Sequence, residues 1–482
     1  MSYQYDLVII GSGPGGYVAA IRAGQYGLKT ALIEQGELGG TCLNRGCIPT
    51  KAMLHAGEVL HHIRSASSYG ISTAEPDVDL EKLYHFRDKT VKKLQGGIQS
   101  LLKAQGVDIL KGRGILVGPH QVRIESVSTQ TTSTATQVTE LSTGSVILAM
   151  GSRPVVPPIP GLEEAGYWTS RTMLEENPQL PARMIIIGGG VIGVESATIL
   201  KDLGVKVTVV EMLDQLLPRM DVEIAETLRR SMKKSGIDID LGVRVSEVKQ
   251  GASGKECILQ DGNGEKRIET DEIMVAVGRG AVLDTAGLEA AGLSLEKTGI
   301  PVDEHLRTAL PGVYAIGDVT GKWQLAHAAS ADALAAVDTI TGRHSHINRN
   351  LIPSCVYTRP EISSVGMTAE EAEAAGYSIK IGSFPMAANG KSMIMGGNSG
   401  FVKLVTDQAT GEILGAHLMG ERATDMIAGI TLAMGSELSI EELGAAVYPH
   451  PTVSEAIMES AHDVEALSIH KPGGHGTSLK KR

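Results

Sequence analysis

Two cysteines, Cys42 and Cys47, stand five residues apart in the segment GGTCLNRGCIPTK, Gly39 to Lys51, beside a glycine and leading into a helix-forming stretch. Such a pair can hold a metal, lie inert in a core, or be reversibly oxidised. Zinc asks for two more Cys or His ligands at short spacing, and His55, His61 and His62 are the only candidates nearby. No metal is expected, and a redox pair fits the segment best. Its geometry carries a condition, because five residues of regular helix turn two side chains about 140° apart. A bridge between Cys42 and Cys47 therefore requires a distorted or unwound turn, which Gly46 and Pro49 allow. A strained bridge near a helix N-terminus is easily reduced, and the thiolate that it releases is stabilised there.

The second constellation is YPHPTVSEAIMES, Tyr448 to Ser460. His450 lies between two prolines, and Glu455 follows five residues later at the start of a predicted helix, with Ser454 and its neighbours as candidate caps. One histidine among 14 is more often a surface or core residue. A dithiol substrate changes that balance, since it must lose a proton before attacking a disulfide, and an imidazole oriented by a carboxylate suits the task.

Two thiols can pass two electrons only to an acceptor, and the elements upstream are of the kind that hold one. Tyr5 to Glu34 reads as strand, glycine turn, helix, strand, with Gly11, Gly13 and Gly16 at the turn and Glu34 closing the second strand. Met184 to Glu211 repeats the pattern with Gly188, Gly190, Gly193 and Glu211, and in both copies the acid lies 23 residues after the first glycine. Glycines let the backbone approach a pyrophosphate at the helix N-terminus, and the acid is placed to hold a ribose. FAD in the first site and a nicotinamide in the second complete a relay from the dithiol, whereas NAD in both leaves the cysteines without work. Glu211 is followed by Met212, Leu213 and Asp214, with no basic residue for a 2′-phosphate, so NAD is expected rather than NADP.

The frame around these residues is long enough for several domains, at 482 residues, with a formal charge of −11 and only 3% aromatics. Neither a basic stripe nor stacking platforms are present for a nucleic acid, so no nucleic-acid partner is expected. No apolar run reaches a membrane span and the N-terminus lacks a basic leader region, so a soluble, cytoplasmic protein without a membrane partner is expected. Gly is frequent, 58 residues, which calls for many tight turns. Ser145–Pro154 and Glu272–Gly280 read as apolar strands ending in Gly next to Arg, the return crossings of the nucleotide domains. Val127–Thr143 reads as exposed strands and turns, and Pro154–Pro160 as a linker. Pro311–Gly321 is a strand running into Gly317 and Asp318, followed by an Ala-rich helix over Gln324–Ile340. Past Asn350, strands and amphipathic helices alternate without a glycine fingerprint, which suits pairing with another subunit. The expected architecture is α/β: an FAD-binding Rossmann-like domain over 1–150, an NAD-binding one over 151–280, a central domain over 281–349 that completes the FAD site, and a C-terminal α+β dimerisation domain over 350–482.

With these motifs, essentially the whole chain resembles the pyridine nucleotide-disulfide oxidoreductase family, GGTCLNRGCIPTK matching its redox signature and HPTVSEA its base signature. The resemblance implies that Cys42 is the interchange thiol and Cys47 the thiolate lying against the flavin. It implies that His450, oriented by Glu455, serves the active site of the opposite subunit of a homodimer, and that the His450–Pro451 bond is cis. By position, Glu34 would bind the FAD ribose, Asp318 the ribityl chain, and Lys51 with Glu195 would pair near the flavin. Thr41, Gly151 and Ala326 would be further FAD contacts, and Gly278 a further NAD contact. The pattern is closest to members that oxidise dihydrolipoamide on the lipoyl domains of 2-oxo acid dehydrogenase complexes or on the glycine cleavage H protein. Two departures, AMGS at Ala149–Ser152 where ATGS is more usual and GRGAVLDT at Gly278–Thr285 where GRxPNT is, both lie in the return crossings. A glutathione reductase-like enzyme is the rival reading, and a mainly structural flavoprotein subunit of a multienzyme complex is another. A mercuric reductase would bring a C-terminal cysteine pair, and this tail has only Cys355.

Overall fold

The computed structural model describes residues 3–126, 138–251, 254–262, 264–283 and 285–471. The chain divides into two compact units, one of Met1–Pro157, Trp168–Gln179 and Val277–Arg349, the other of Pro158–Tyr167, Leu180–Ala276 and Asn350–Arg482. The expected first and central segments thus share a unit, and the second nucleotide segment shares one with the C-terminal segment.

In the first unit the strands Asp108–Lys111, Thr30–Glu34, Tyr5–Ile10, Val138–Leu148 and Val313–Ala315 form a parallel array in that order. Leu7, Val8, Ile9, Leu32, Ile147 and Leu148 are fully buried, as unbroken apolar runs must be in a parallel sheet covered on both faces. One covering layer pairs the helix Pro14–Gln25 with Ala326–Ile340, small residue against small residue: Gly15, Ala19 and Ala23 on one, Ala329, Ala333 and Ala336 on the other. A side chain at Gly15 would stand 3.1 Å from Ile316 and 3.3 Å from the Ala329 carbonyl, so glycine here permits the close approach. The Ala-rich helix starts at Ala326, two residues later than the sequence suggests.

Val138–Leu148 is a long strand with two roles. Its first half pairs antiparallel with Gln121–Glu125, and its second half parallel with Tyr5–Ile10. The expectation of exposed strands over Val127–Thr143 needs correction at its end: Leu141 and Thr143 are 3% and 0% exposed, because the strand is already entering the core sheet there. Residues 127–137 lie outside the described residues.

In the second unit, Asp238–Leu241, Lys206–Glu211, Arg183–Ile187 and Glu272–Val275 make a four-stranded parallel sheet, followed by the antiparallel meander Arg244–Gln250, Lys255–Asp261, Gly264–Thr270. From Asn350 the chain builds a five-stranded antiparallel sheet, ordered Ser354–Val356, Glu361–Gly366, Ile413–Gly420, Phe401–Asp407, Ile379–Pro385. Val402, Leu404, Leu418, Met426, Ile430 and Ile457 form the core between this sheet and helices that include Ala423–Gly435 and Glu455–Asp463. Among the described residues, no helix is long and apolar enough to cross a membrane.

Candidate active site

Cys42 and Cys47 lie on two consecutive helices, Gly40–Arg45 and Cys47–Ser65. The break between them is Gly46, whose φ of −141° and ψ of −113° leave the helical region. That unwinding lets side chains five apart face each other, as the redox reading requires. Glycine is needed there because a Cβ would stand 3.0 Å from the Thr41 carbonyl and 3.3 Å from Cys42 Cα. The cysteines face each other as thiols and share a side-chain hydrogen bond. That bond to Cys47, reinforced by burial, raises the Cys42 thiol far above its usual range, and the nearby Lys51 ammonium only partly offsets it. The other cysteine of an apolar core, Cys257, is pushed up to about 12 by burial and is chemically quiet.

This double helix start is seated on the first glycine turn. Gly39 N donates to the Ser12 carbonyl at 3.0 Å, and a Cβ on Gly40 would stand 2.6 Å from Gly13 Cα. Gly40, at φ +59°, is thus what brings the thiol segment against the fingerprint.

The two glycine turns match residue for residue. Gly11 and Gly188 take φ of +100° and +112°. A Cβ on Gly16 or Gly193 would stand 1.8 Å or 2.0 Å from the carbonyl oxygen of Gly11 or Gly188, so only glycine lets the helix pack on the strand. Gly13 and Gly190 are the extended N-caps of their helices, without a side-chain cap, and a Cβ on either meets nothing within 4 Å. Open space before an uncapped helix N-terminus fits a pyrophosphate. The acids correspond too. Glu34 accepts from Ser12 N at 2.9 Å, Ser12 Oγ at 2.6 Å and Gly36 N at 2.6 Å, while Glu211 accepts from Gly189 N at 2.7 Å and Leu213 N at 2.9 Å. Each carboxylate is fixed at the end of its second strand, where a ribose hydroxyl would be met.

The return crossings form a small sheet of their own in the first unit, Ser152–Pro154 antiparallel to Arg279–Ala281. Arg279 donates to Ser152 Oγ at 2.8 Å and to the Ser152 carbonyl at 2.6 Å, and Ser152 Oγ bonds Asp318. Asp318 sits in the turn Gly317–Thr320, just before the helix that Ala326 opens. Burial pulls the Arg279 guanidinium down, and the charges of Asp318 and Cys47 pull it back. The departures AMGS and GRGAVLDT thus keep Ser152 and Arg279 in contact. Sequence reasoning missed both as site residues, although each stood in a crossing already marked by Gly next to Arg. It also missed Tyr17, whose hydroxyl is raised by burial and by Cys42. Gly151 and Gly278, at φ +72° and +123°, meet nothing within 4 Å at the Cβ position. Thr41 belongs to the Cys42 helix, with its carbonyl against Gly46. In the second unit Glu195 is buried on the helix Val191–Asp202 and accepts from Tyr357 N at 3.0 Å.

His450 Nδ1 lies 2.9 Å from Glu455 Oε1, and Glu455 Oε2 accepts the Thr452 N–H at 2.9 Å. The imidazole is 81% exposed, its carboxylate partner 22%, and the His450–Pro451 peptide is cis. Burial would raise the Glu455 carboxyl, but the Thr452 amide and the His450 ring hold it below its usual range. Ser454 makes no side-chain cap, contrary to the expectation: its φ of −64° and ψ of −17° are already helical, which turns the hydroxyl away from the first-turn N–H groups.

Two dinucleotide turns, a thiol pair seated on the first of them and an exposed imidazole braced by a carboxylate together define a flavin-dependent disulfide oxidoreductase. The pyridine nucleotide-disulphide oxidoreductase family model matches residues 5–333, and the dimerisation domain of the same family matches residues 352–461. The chain belongs to this family. It is 39% identical over 470 residues to a dihydrolipoyl dehydrogenase of Thermus scotoductus, covering 97% of this chain and 98% of that one. With the dihydrolipoyl dehydrogenase of Bacillus subtilis it shares 40% identity over 479 residues, covering 98% and 100%. Among solved structures it resembles LpdA from Mycobacterium tuberculosis, with a TM-score of 0.85 at 26% identity over 95% of this chain and 98% of that one. The HOCl-induced flavoprotein disulfide reductase RclA from Escherichia coli gives 0.82 at 28% identity, over 95% and 99%.

Proposed function

We infer that the chain oxidises dihydrolipoamide to lipoamide and reduces NAD to NADH, with FAD and the Cys42–Cys47 pair between them. The observation that carries this is the thiol pair seated on the first of two matching dinucleotide turns, in a chain with full-length relatives named dihydrolipoyl dehydrogenase. Bound FAD supplies an acceptor for two electrons and bound NAD an acceptor for hydride. Gly11, Gly13, Gly16, Glu34, Thr41, Lys51, Gly151, Asp318 and Ala326 are the residues that would hold the first, and Gly188, Gly190, Gly193, Glu195, Glu211 and Gly278 the second.

The thiol chemistry is that of the chain's own residues. With Cys42 and Cys47 joined as a disulfide, His450 takes the proton of one substrate thiol, and the substrate thiolate attacks Cys42 Sγ. The Cys42–Cys47 bond breaks and Cys47 leaves as thiolate. The second substrate sulfur then attacks the first, closes the lipoamide disulfide and passes its proton to the departing Cys42. One proton ends on His450 and one on Cys42, and two electrons rest in the enzyme's thiol pair. A Cys42 thiol raised by its bond to Cys47 and by burial suits this end state. Arg279 steadies the charge on Cys47.

The family's dimerisation domain supports a homodimer, and we place His450 and Glu455 at the site of the partner subunit. The substrate is carried on lipoyl domains of a 2-oxo acid dehydrogenase complex or on a glycine cleavage H protein, in the cytoplasm. Purified protein should be yellow, and NAD reduction should require added dihydrolipoamide. Turnover with NADPH and glutathione disulfide in its place would overturn the reading.

A further inference from the structure

Glu459 is 3% exposed and lies one turn beyond Glu455 on the helix Glu455–Asp463, so the two carboxylates share a side of that helix. It collects four donors from the last described residues. Ser468 Oγ at 2.6 Å, Ile469 N at 2.9 Å and His470 N at 3.3 Å donate to Oε2, and His470 Nδ1 meets Oε1 at 2.6 Å. Lys471 extends the clasp to Asp463 at 2.6 Å and to the Ser383 carbonyl at 2.8 Å. Burial works against the Glu459 charge, but Ser468 and His470 outweigh it and hold the carboxyl below its usual range. The His470 charge also reaches Glu455. One helix therefore carries two His–Glu pairs in series, and only the first has a role in the reaction described above.

We propose that Glu459 and His470 are positioning residues for the His450–Glu455 pair, fastening the C-terminal segment to the helix and setting the charge that the base feels. This rests on the reading of His450 as the base. Removing the His470 ring leaves the Glu459 anion without its partner, which favours a protonated His450. Removing the Glu459 charge acts the other way. The remaining charged groups on this helix and on the elements packed against it are otherwise engaged among the described residues: Asp463 with Lys471, Glu465 with Lys380, Lys403 with Asp221 and Glu223, Asp407 with Thr410, and Glu442 with its Ser439 cap. His462 lies against Gly444, and Glu441 is exposed in the first turn of Ile440–Ala445.

The test is the pH profile of kcat/KM for dihydrolipoamide, measured on FAD-loaded full-length wild type, His470→Gln, Glu459→Gln and the double variant. The acid limb should move up by about 0.5 pH unit in His470→Gln and down by a similar amount in Glu459→Gln, the scale of one unit charge acting through solvent. The double variant should return near wild type, and His470→Lys, which gives Glu459 a cationic partner, should restore the profile. Coincident profiles, or shifts of the same sign in both single variants, would overturn the proposal. If Glu459→Gln does not fold, the contrast between His470→Gln and His470→Lys decides alone. An acid limb that persists unchanged in His450→Ala would instead overturn the reading of His450, which separates the two failures.

Discussion

Glu211 receives the Gly189 N–H at 2.7 Å, the same hold that the Ser12 N–H has on Glu34 at 2.9 Å. The second carboxylate is 9% exposed, with Met212 at 66% and Leu213 at 45% beside it. An acid fixed in this way accepts a ribose 2′-hydroxyl and repels a phosphate. Replacing Glu211 by Arg and Asp214 by Asn should raise the ratio of kcat/KM for NADP to that for NAD by at least about tenfold, which is 1.4 kcal/mol of relative binding. An unchanged ratio would remove Glu211 from the specificity role.

Gly46→Ala tests whether the broken helix is what joins the cysteines. The new Cβ must displace the Thr41 carbonyl or the Cys42 backbone, at 3.0 and 3.3 Å. Overpacking of this kind costs about 1 to 3 kcal/mol. The variant should melt earlier and lose thiol–disulfide turnover, while NADH oxidation by ferricyanide, which bypasses the thiols, should survive. Thermal melts and paired assays read the two effects separately. Wild-type lipoamide turnover in the variant would show that the break is not needed.

His450→Ala should slow dihydrolipoamide oxidation by roughly 10²- to 10⁴-fold, the usual loss of a general base. Glu455→Gln should be milder, since the amide oxygen can still accept from His450 Nδ1 while the charge and the Thr452 N–H bond are lost. Ferricyanide reduction by NADH should be little changed in both. Equal loss of the two activities in folded, FAD-loaded protein would argue for a structural role instead.

What the sequence made legible follows from where the physics is local. A glycine fingerprint is a backbone requirement: Gly16 cannot carry a Cβ 1.8 Å from the Gly11 carbonyl, so the residue type itself reports the turn. The His450–Glu455 contact was legible for a similar reason, being formed within one turn of chain. The Asp318–Ser152–Arg279 network was not, because its three members are far apart in sequence and meet only through the pairing of Ser152–Pro154 with Arg279–Ala281. The end of the Val127–Thr143 stretch was misread for its composition. Ser and Thr suggest a surface, yet Thr143 is buried with its hydroxyl satisfied by the Ser145 carbonyl at 2.8 Å.

Complementation addresses the dimer. Cys47→Ser and His450→Ala subunits are each expected to be inactive with dihydrolipoamide. If each site takes its thiols from one subunit and its base from the other, one of the two sites in a mixed dimer is intact. Activity should then rise toward about a quarter of that of an equal amount of wild-type dimer, because random exchange puts half of the protein in mixed dimers with one intact site each. Exchange confirmed by mass spectrometry without any regain of activity would place thiols and base in one subunit.

A buried charge cluster that the chemistry does not use sets the acid limit of stability. Lys403 Nζ lies 2.8 Å from Asp221 Oδ2, with the two side chains 10% and 1% exposed, and Asp221 also caps the helix Val222–Lys234 through Glu223 N and Ile224 N. His417 is the cross-strand partner of Lys403 and is 1% exposed. Its Nε2 must donate to the Met367 carbonyl at 3.0 Å, and Nδ1 lies 3.2 Å from Ser364 Oγ, a hydroxyl that can donate to the neutral ring. Burial accordingly holds His417 below its usual 6.5. As the pH falls below 6.5, the unfolded chain takes up a proton that the folded one refuses, and stability declines. Asp221, held below its usual 3.8 by Lys403 against the effect of burial, adds a second loss as the pH falls through its lower folded value. Lys403, raised above 10.5 by Asp221 despite burial, keeps its contribution until the pH rises through that higher value. Urea unfolding from pH 8 to pH 5 should show stability dropping below pH 6.5 in wild type, with a shallower slope in His417→Gln. Lys403→Met, which strands the Asp221 carboxylate, should cost about 3 to 5 kcal/mol. The double variant Asp221→Asn, Lys403→Met should cost clearly less than Lys403→Met alone. An identical pH slope in His417→Gln and wild type would show that this histidine does not control the acid limb.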